Sequence, residues 1–261
     1  MTYCVGIKIK EGLVALADGR ITAGTQMSSA RKVTMMDANG GRFFVMSSGL
    51  RSVRDKTLAY LRRDLVTRKG GDGHRTLLDV LGAFTNCLRQ VAKEDRTALE
   101  ASGLTFNLHA LVGGQLIDDP EPFMYLIYPE GNWVEVDQRT PYLSIGATGY
   151  GKPILDRALR HETSLRTALK LAYLSFDSSR FSSSDVGYPI DVLTYNAQDR
   201  TWREATFEYD DLAKQRHWWN QNITLLAHKF PDEPWAKRLV PPDLMDTAAN
   251  IGDLVPSEPD H

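Results

Sequence analysis

The sequence predicts an α+β fold in which antiparallel sheets stack and helices cover them. Strand-like and helix-like segments come in pairs rather than alternating singly, which argues against a doubly wound parallel sheet. The 261 residues are 42% hydrophobic and 25% charged, a globular composition that excludes a collagen, a coiled coil and a wholly disordered chain. No linker divides the main body. The expected organisation is one domain over residues 2–230 followed by a Pro-rich C-terminal arm over 231–261.

Each element follows from its pattern. Tyr3, Val5, Ile7 and Ile9 share one parity, a period-2 strand. Glu11-Gly12 turns the chain into a second strand, Leu13 to Ala17, so the two form a hairpin. Asp18-Gly19-Arg20 ends it, and a polar loop is expected from Gly24 to Ser29. Lys32 to Met36 and Arg42 to Ser47 make a second hairpin. The period then becomes helical. Val53, Leu58, Leu61 and Leu65 mark one helix, stopped at Gly70-Gly71. Leu77, Val80, Leu81, Phe84, Leu88 and Val91 stripe another, from about Thr76 to Ala98. Strands resume at Phe106–Val112, Met124–Tyr128, Trp133–Val136 and Tyr142–Ile145. Two helices follow, one opening at Pro153, a favoured first helical position, and one from Ser164 to about Phe176. A strand pair, Ile190–Tyr195 and Thr201–Phe207, and a helix near Asp211–Lys229 complete the order.

Composition removes several functional classes. The net charge of −2 provides no basic footprint for nucleic acid. No run approaches the ~20 apolar residues of a membrane span. Two cysteines, Cys4 and Cys87, are too few for a disulfide framework or a four-cysteine zinc site, and they read as small buried hydrophobes. The six histidines form no ligand pair at helical spacing, so no metal and no cofactor is expected. The first residues lack a secretory leader, which sets the expectation of a cytoplasmic chain whose structure starts at residue 2.

Gly146-Ala147-Thr148-Gly149-Tyr150-Gly151-Lys152 satisfies the first seven positions of a phosphate-binding loop. The eighth, which needs a hydroxyl for magnesium, is Pro153. A Gly-rich turn packed closely on neighbouring backbone is the plainer reading. The start of the chain is more informative. Thr2 follows the initiator methionine, and removal of Met1 leaves a hydroxyl and a free α-amine on one residue. An amine with a pKa near 7.7–8.0 is a usable base at neutral pH. It sits on the same residue as the weak nucleophile that it must activate. In the first hairpin, partner positions sum to about 20, which returns Asp18 to the neighbourhood of Thr2. Lys32 opens the third strand and would bring positive charge there. Ser47-Ser48-Gly49 leads into a helix N-terminus, a source of backbone N–H groups for an oxyanion.

On Thr2, Asp18-Gly19-Arg20, Gly24, Arg31-Lys32-Val33, Ser47-Ser48-Gly49 and Ser144-Ile145-Gly146, the chain resembles the proteasome β-subunit and bacterial HslV group of N-terminal nucleophile (Ntn) hydrolases. Residues 1–8, 150–157 and 174–178 resemble the bacterial Anbu, or ancestral β-subunit, branch. The resemblance implies a four-layer αββα sandwich of two antiparallel sheets flanked by helices. It implies Thr2 as nucleophile, Asp18 and Lys32 as its supporting pair, and amides around Ser48 and Gly49 as the oxyanion hole. Asp177 would be a later supporting acid, with Ser178, Ser179 or Ser182 as its serine. Ala147 stands where a further serine is usual, and Thr148 is the alternative. Arg20, Ile21, Met46 and Leu50 are expected to bind substrate; for the last three, plain core is an equal reading. The implied activity is a threonine peptidase or amidase acting on a peptide or protein. The implied partners are copies of itself in a ring or spiral and an unfoldase of unknown kind, with neither nucleic acid nor membrane. The rival expectation is a self-assembling scaffold without catalysis.

Overall fold

The structure is a computed structural model that describes residues 2–23, 26–67, 73–231, 234–235 and 238–241. The chain divides into two compact units between Glu208 and Tyr209. In the first, one five-stranded antiparallel sheet has the order β10-β1-β2-β11-β12, built from Tyr142–Gly146, Tyr3–Ile9, Gly12–Asp18, Ile190–Asn196 and Thr201–Phe207. A second five-stranded sheet has the order β5-β6-β7-β8-β9, built from Val33–Ala38, Gly41–Gly49, Leu108–Gln115, Phe123–Ile127 and Trp133–Glu135.

The two sheets face each other, and each carries a helical pair on its outer side. α1 (Arg51–Thr67) and α2 (Leu77–Ala101) cover the second sheet. α3 (Lys152–Ala158) and α4 (Leu165–Ser182) cover the first. This is the expected αββα sandwich. Two cores result. Val53, Leu61, Val80, Phe84 and Leu88 pack on Phe43, Val45 and Val112 between helices and sheet. Cys4, Leu13, Ala15 and Ala17 meet Phe44, Met46, Leu111 and Met124 between the sheets.

The strand parities now have a physical reason. Cys4 points between the sheets, while Tyr3, on the other parity, reaches Phe176 and Ser175 of α4. Both faces of β1 are therefore covered, and all seven of its residues are buried. Lys8 tolerates this at the far end by pairing with Glu121 at 2.9 Å, its ammonium 4.7 Å from the Phe123 ring centroid. Gly12 has φ +147°, and a side chain there would collide with the Tyr195 carbonyl. That pins the first turn. The resulting register pairs Cys4 with Ala17 and Ile9 with Gly12, a sum of 21.

The predicted helix starts hold. Thr76 caps α2 through a reciprocal pair of bonds with Asp79, and Ser164 caps α4. The expected stop at Gly70-Gly71 lies outside the described residues. The expected loop from Gly24 to Ser29 is corrected. Arg20–Ala23 (β3) and Gln26–Ser29 (β4) form a two-stranded hairpin, with Gly24 and Thr25 outside the described residues. Two strands of four residues are too short to show a period. In the second unit a short 3₁₀ turn, Asp210–Leu212, leads into α5 (Ala213–His228). Most of the Pro-rich arm lies outside the described residues.

α1 and α2 are also joined by charge. The Lys56 ammonium lies 2.8 Å from Glu94 and 2.7 Å from Asp95, and the Tyr60 hydroxyl donates to Glu94 at 2.8 Å. Lys56, then Tyr60 and Gln90, hold the Glu94 carboxyl down to about 2. A depressed carboxyl contributes stability that is present above its unfolded pKa and is lost as pH falls through the folded one. The melting temperature of wild type is expected to drop between about pH 4.5 and 2. Lys56→Met, and molar salt acting on wild type, should both flatten that window. An identical acid profile in the variant would show that the cluster contributes nothing.

Candidate active site

Continuing the β1–β2 register brings Asp18 opposite Tyr3, at the end of the sheet where the chain starts. The Asp18 side chain is wholly buried and collects donors from separate parts of the chain. The Thr2 hydroxyl donates to its Oδ1 at 2.7 Å and the Tyr3 amide to the same oxygen at 2.8 Å. The Lys32 ammonium, itself buried, reaches that oxygen at 2.7 Å and the Arg20 carbonyl at 2.6 Å. On the other side Gly187 N–H points at Oδ2 from 3.4 Å. Thr2, Asp18 and Lys32, expected from spacing together with the family resemblance, thus form one contact cluster. Oδ1 has two lone pairs and serves three donors. It is saturated as an acceptor, which suits holding the Thr2 hydroxyl more than removing its proton.

Thr2 is fixed from two further directions. Its carbonyl accepts the Ala147 N–H at 2.7 Å. Gly146 has φ +89°, and a Cβ there would stand 1.8 Å from that carbonyl oxygen. Close backbone approach is therefore what this glycine turn serves. The lysine of the same stretch is engaged elsewhere: Lys152 Nζ lies 2.9 Å from the Tyr142 hydroxyl and 3.1 Å from Asp156. On the opposite face of β1 the Tyr3 hydroxyl bonds the Ser175 hydroxyl of α4. Gly151 leaves room for that pair, since a Cβ there would meet Ser175 Oγ at 2.4 Å. Cys4 is no rival nucleophile. Burial first, and the Asp18 charge second, push its thiol up to about 12.

The other expected residues lie on several elements. Ser48 and Gly49 end β6, with Ser48 half-exposed and Gly49 exposed. Gly49 has φ +126° and no room for a side chain against the Asn107 carbonyl. Leu50 follows, half-buried against the helix-side core. Met46 is wholly buried between the sheets, the plain-core reading of that residue. Ile21 lies in β3, and its side chain is outside the described part of the structure. Arg20 donates to the Ser184 carbonyl at 2.8 Å. Asp177, Ser178 and Ser179 lie within α4 and Ser182 at its end. Asp177 Oδ1 faces the Arg180 guanidinium at 3.0 Å, and Ser179 Oγ donates to the Ser175 carbonyl at 3.0 Å. Ala147 is buried and Thr148 half-exposed beside it.

One contributor was not anticipated, the loop of residues 183–189 after α4. It is moored to Asp18 through Gly187, to Gly19 N–H through the Pro189 carbonyl at 2.6 Å, and to Arg20 through Ser184. Its signal in the sequence was only the helix end and Tyr188-Pro189. Among the described residues, no group of three or more His, Cys, Asp or Glu could hold a metal ion.

The fold has known counterparts. The family model described as Proteasome subunit matches residues 2–194. The chain belongs to the proteasome subunit family. Within that family it is 25% identical over 203 residues to proteasome subunit beta 1 of Pyrobaculum calidifontis, covering 76% of this chain and 92% of the relative. Among solved structures, the helical assembly of the Anbu complex from Pseudomonas aeruginosa superposes with a TM-score of 0.82 and 29% identity. That match covers 90% of this chain and 99% of the other. Anbu from Yersinia bercovieri matches with a TM-score of 0.79 and 27% identity, over 88% of this chain and 97% of that one. The αββα sandwich of this proteasome-family chain is thus the Ntn-hydrolase fold.

Asp18→Asn tests how tightly the cluster is coupled. It leaves the Lys32 ammonium buried without its counter-charge, which typically costs about 3–5 kcal/mol. Denaturant unfolding should show that loss, and adding Lys32→Met should recover part of it. A double variant less stable than Asp18→Asn would mean that the two groups are not energetically paired.

Proposed function

We propose that this chain is a proteasome-type threonine peptidase or amidase whose nucleophile is Thr2 once Met1 is removed. The observation that carries the reading is the convergence of the Thr2 hydroxyl and the Lys32 ammonium on one buried Asp18 oxygen. Thr2 Oγ attacks the carbonyl carbon of an amide. The freed α-amine of Thr2 takes the hydroxyl proton and passes it to the leaving amine. Backbone N–H groups around Ser48 and Gly49, next to the N-terminus of α1, receive the oxyanion. Water then hydrolyses the Thr2 ester, with the same amine as base. Lys32 places positive charge beside the attacking oxygen and favours its alkoxide character. Asp18 positions Thr2 and Lys32 rather than moving a proton.

The loop of residues 183–189 supplies the later acid in this reading. Asp185 lies between Ser184, which anchors Arg20, and Gly187, which anchors Asp18. We therefore assign it the role that Asp177 was expected to fill, because Asp177 faces Arg180 on its own helix. Self-assembly belongs to the same reading, supported by the Pseudomonas aeruginosa relative described as a helical assembly. Among the described residues no helix is long and apolar enough to cross a membrane.

Intact mass is the first test. The purified protein should lack one methionine, and a retained Met1 blocks the amine and defeats the reading for that form. Thr2→Ala should abolish labelling by a threonine-directed electrophile and leave assembly in place. Labelling that survives the substitution places the nucleophile elsewhere.

A further inference from the structure

The second sheet carries three side chains, those of Ser48, His109 and Tyr128, that none of this chemistry uses. Ser48 pairs with His109 across β6 and β7, just as Met46 pairs with Leu111 two residues deeper. Leu111 in turn pairs with Leu126 of β8, and Tyr128 follows on the same parity. Directly opposed residues share one face of a sheet, and so do residues two apart. Met46, Leu111 and Leu126 belong to the core between the sheets. Ser48, His109 and Tyr128 therefore face the same inter-sheet space, one step nearer its mouth.

Thr2 lies at the corresponding end of the first sheet. Cys4 points between the sheets, and Thr2 lies two residues before it on the same parity. The ends correspond as well. Lys32 bonds Asp18 and precedes Val33, which pairs with Met46. Exposure changes abruptly along the wall: Met46 and Leu111 are fully buried, whereas Ser48, His109 and Tyr128 are all half-exposed. The His109 ring stands edge-on to Tyr128, centroids 5.9 Å apart. Among the described residues its nitrogens take part in no hydrogen bond or ion pair.

We infer that His109 is a specificity-determining residue that receives an acidic side chain of the substrate; this rests on the threonine-hydrolase reading. The wall offers three potential donors, a hydroxyl, an imidazole and a phenol, and an apolar core begins directly behind them. A carboxylate entering there gains hydrogen bonds to His109, Ser48 and Tyr128. An aliphatic side chain would leave those donors desolvated and unpaired.

The test is the second-order rate of Thr2 labelling by peptide electrophiles that differ in one side chain, Glu, Gln, Leu or Lys, next to the reactive group. Wild type should react with the Glu probe faster than with the Leu probe by about tenfold, the low end for one hydrogen bond to a charged group. His109→Leu should erase that difference, and His109→Glu should shift the preference to a Lys probe. His109→Asn, which withdraws the donor from reach, is held to the same loss should the Leu variant not fold. A Glu preference that persists in either variant, or a wild type that favours Leu, overturns the inference. Absence of Thr2 labelling by every probe instead overturns the hydrolase reading beneath it.

Discussion

Asp18 is the constraint on which the rest of the unit turns. A carboxylate with no exposure must be met by donors or it destabilises the fold. Its donors come from residues 2 and 3, from residue 32 and from residue 187. Satisfying one side chain thus requires the first strand, the approach to the second sheet and the loop after α4 to arrive at one point. The first hairpin supplies the strand, because Gly12 sets the register. The β3–β4 hairpin ends where Ala30 N–H meets the Gly19 carbonyl at 2.9 Å, which returns the chain for Lys32. The third approach follows from α4 packing on β1 and β2.

The same arrangement explains how Thr2, the nucleophile of the proposed reading, is held in place just ahead of the first strand. Terminal residues fray unless they are tied down. Here the second residue is tied by its hydroxyl, by its carbonyl and by the amide that follows it. Tyr3 adds a tie through the opposite face, to Ser175. Thr2 is therefore tied to the sheet that carries it, the kind of support that holds aligned groups in place.

Much of this was legible in the residues. Two-parity strands, helical stripes and turn glycines placed nearly every element, because each depends on local periodicity. Asp18 near Thr2 was legible because a tight turn converts sequence distance into register. Lys32 was legible only jointly with the resemblance, since a polar hairpin separates it from Asp18. That hairpin was read as a loop, because four-residue strands carry no period. The mooring loop at residues 183–189 was missed for a related reason: its contacts are made by backbone groups, which leave no mark on residue type. His109 was set aside as one of six scattered histidines. Only the pairing of β6 with β7 reveals what stands opposite it.

The ties on Thr2 have one further consequence. They use its oxygen atoms and the next residue's amide; among the described residues none uses its own nitrogen. None of these bonds depends on whether that nitrogen is an amide or an amine. In the proposed reading, the chain can thus complete this fold before its nucleophile is exposed. On that reading, loss of Met1 changes reactivity without touching the bonds that hold Thr2, so chain length by one residue works as a covalent on-switch.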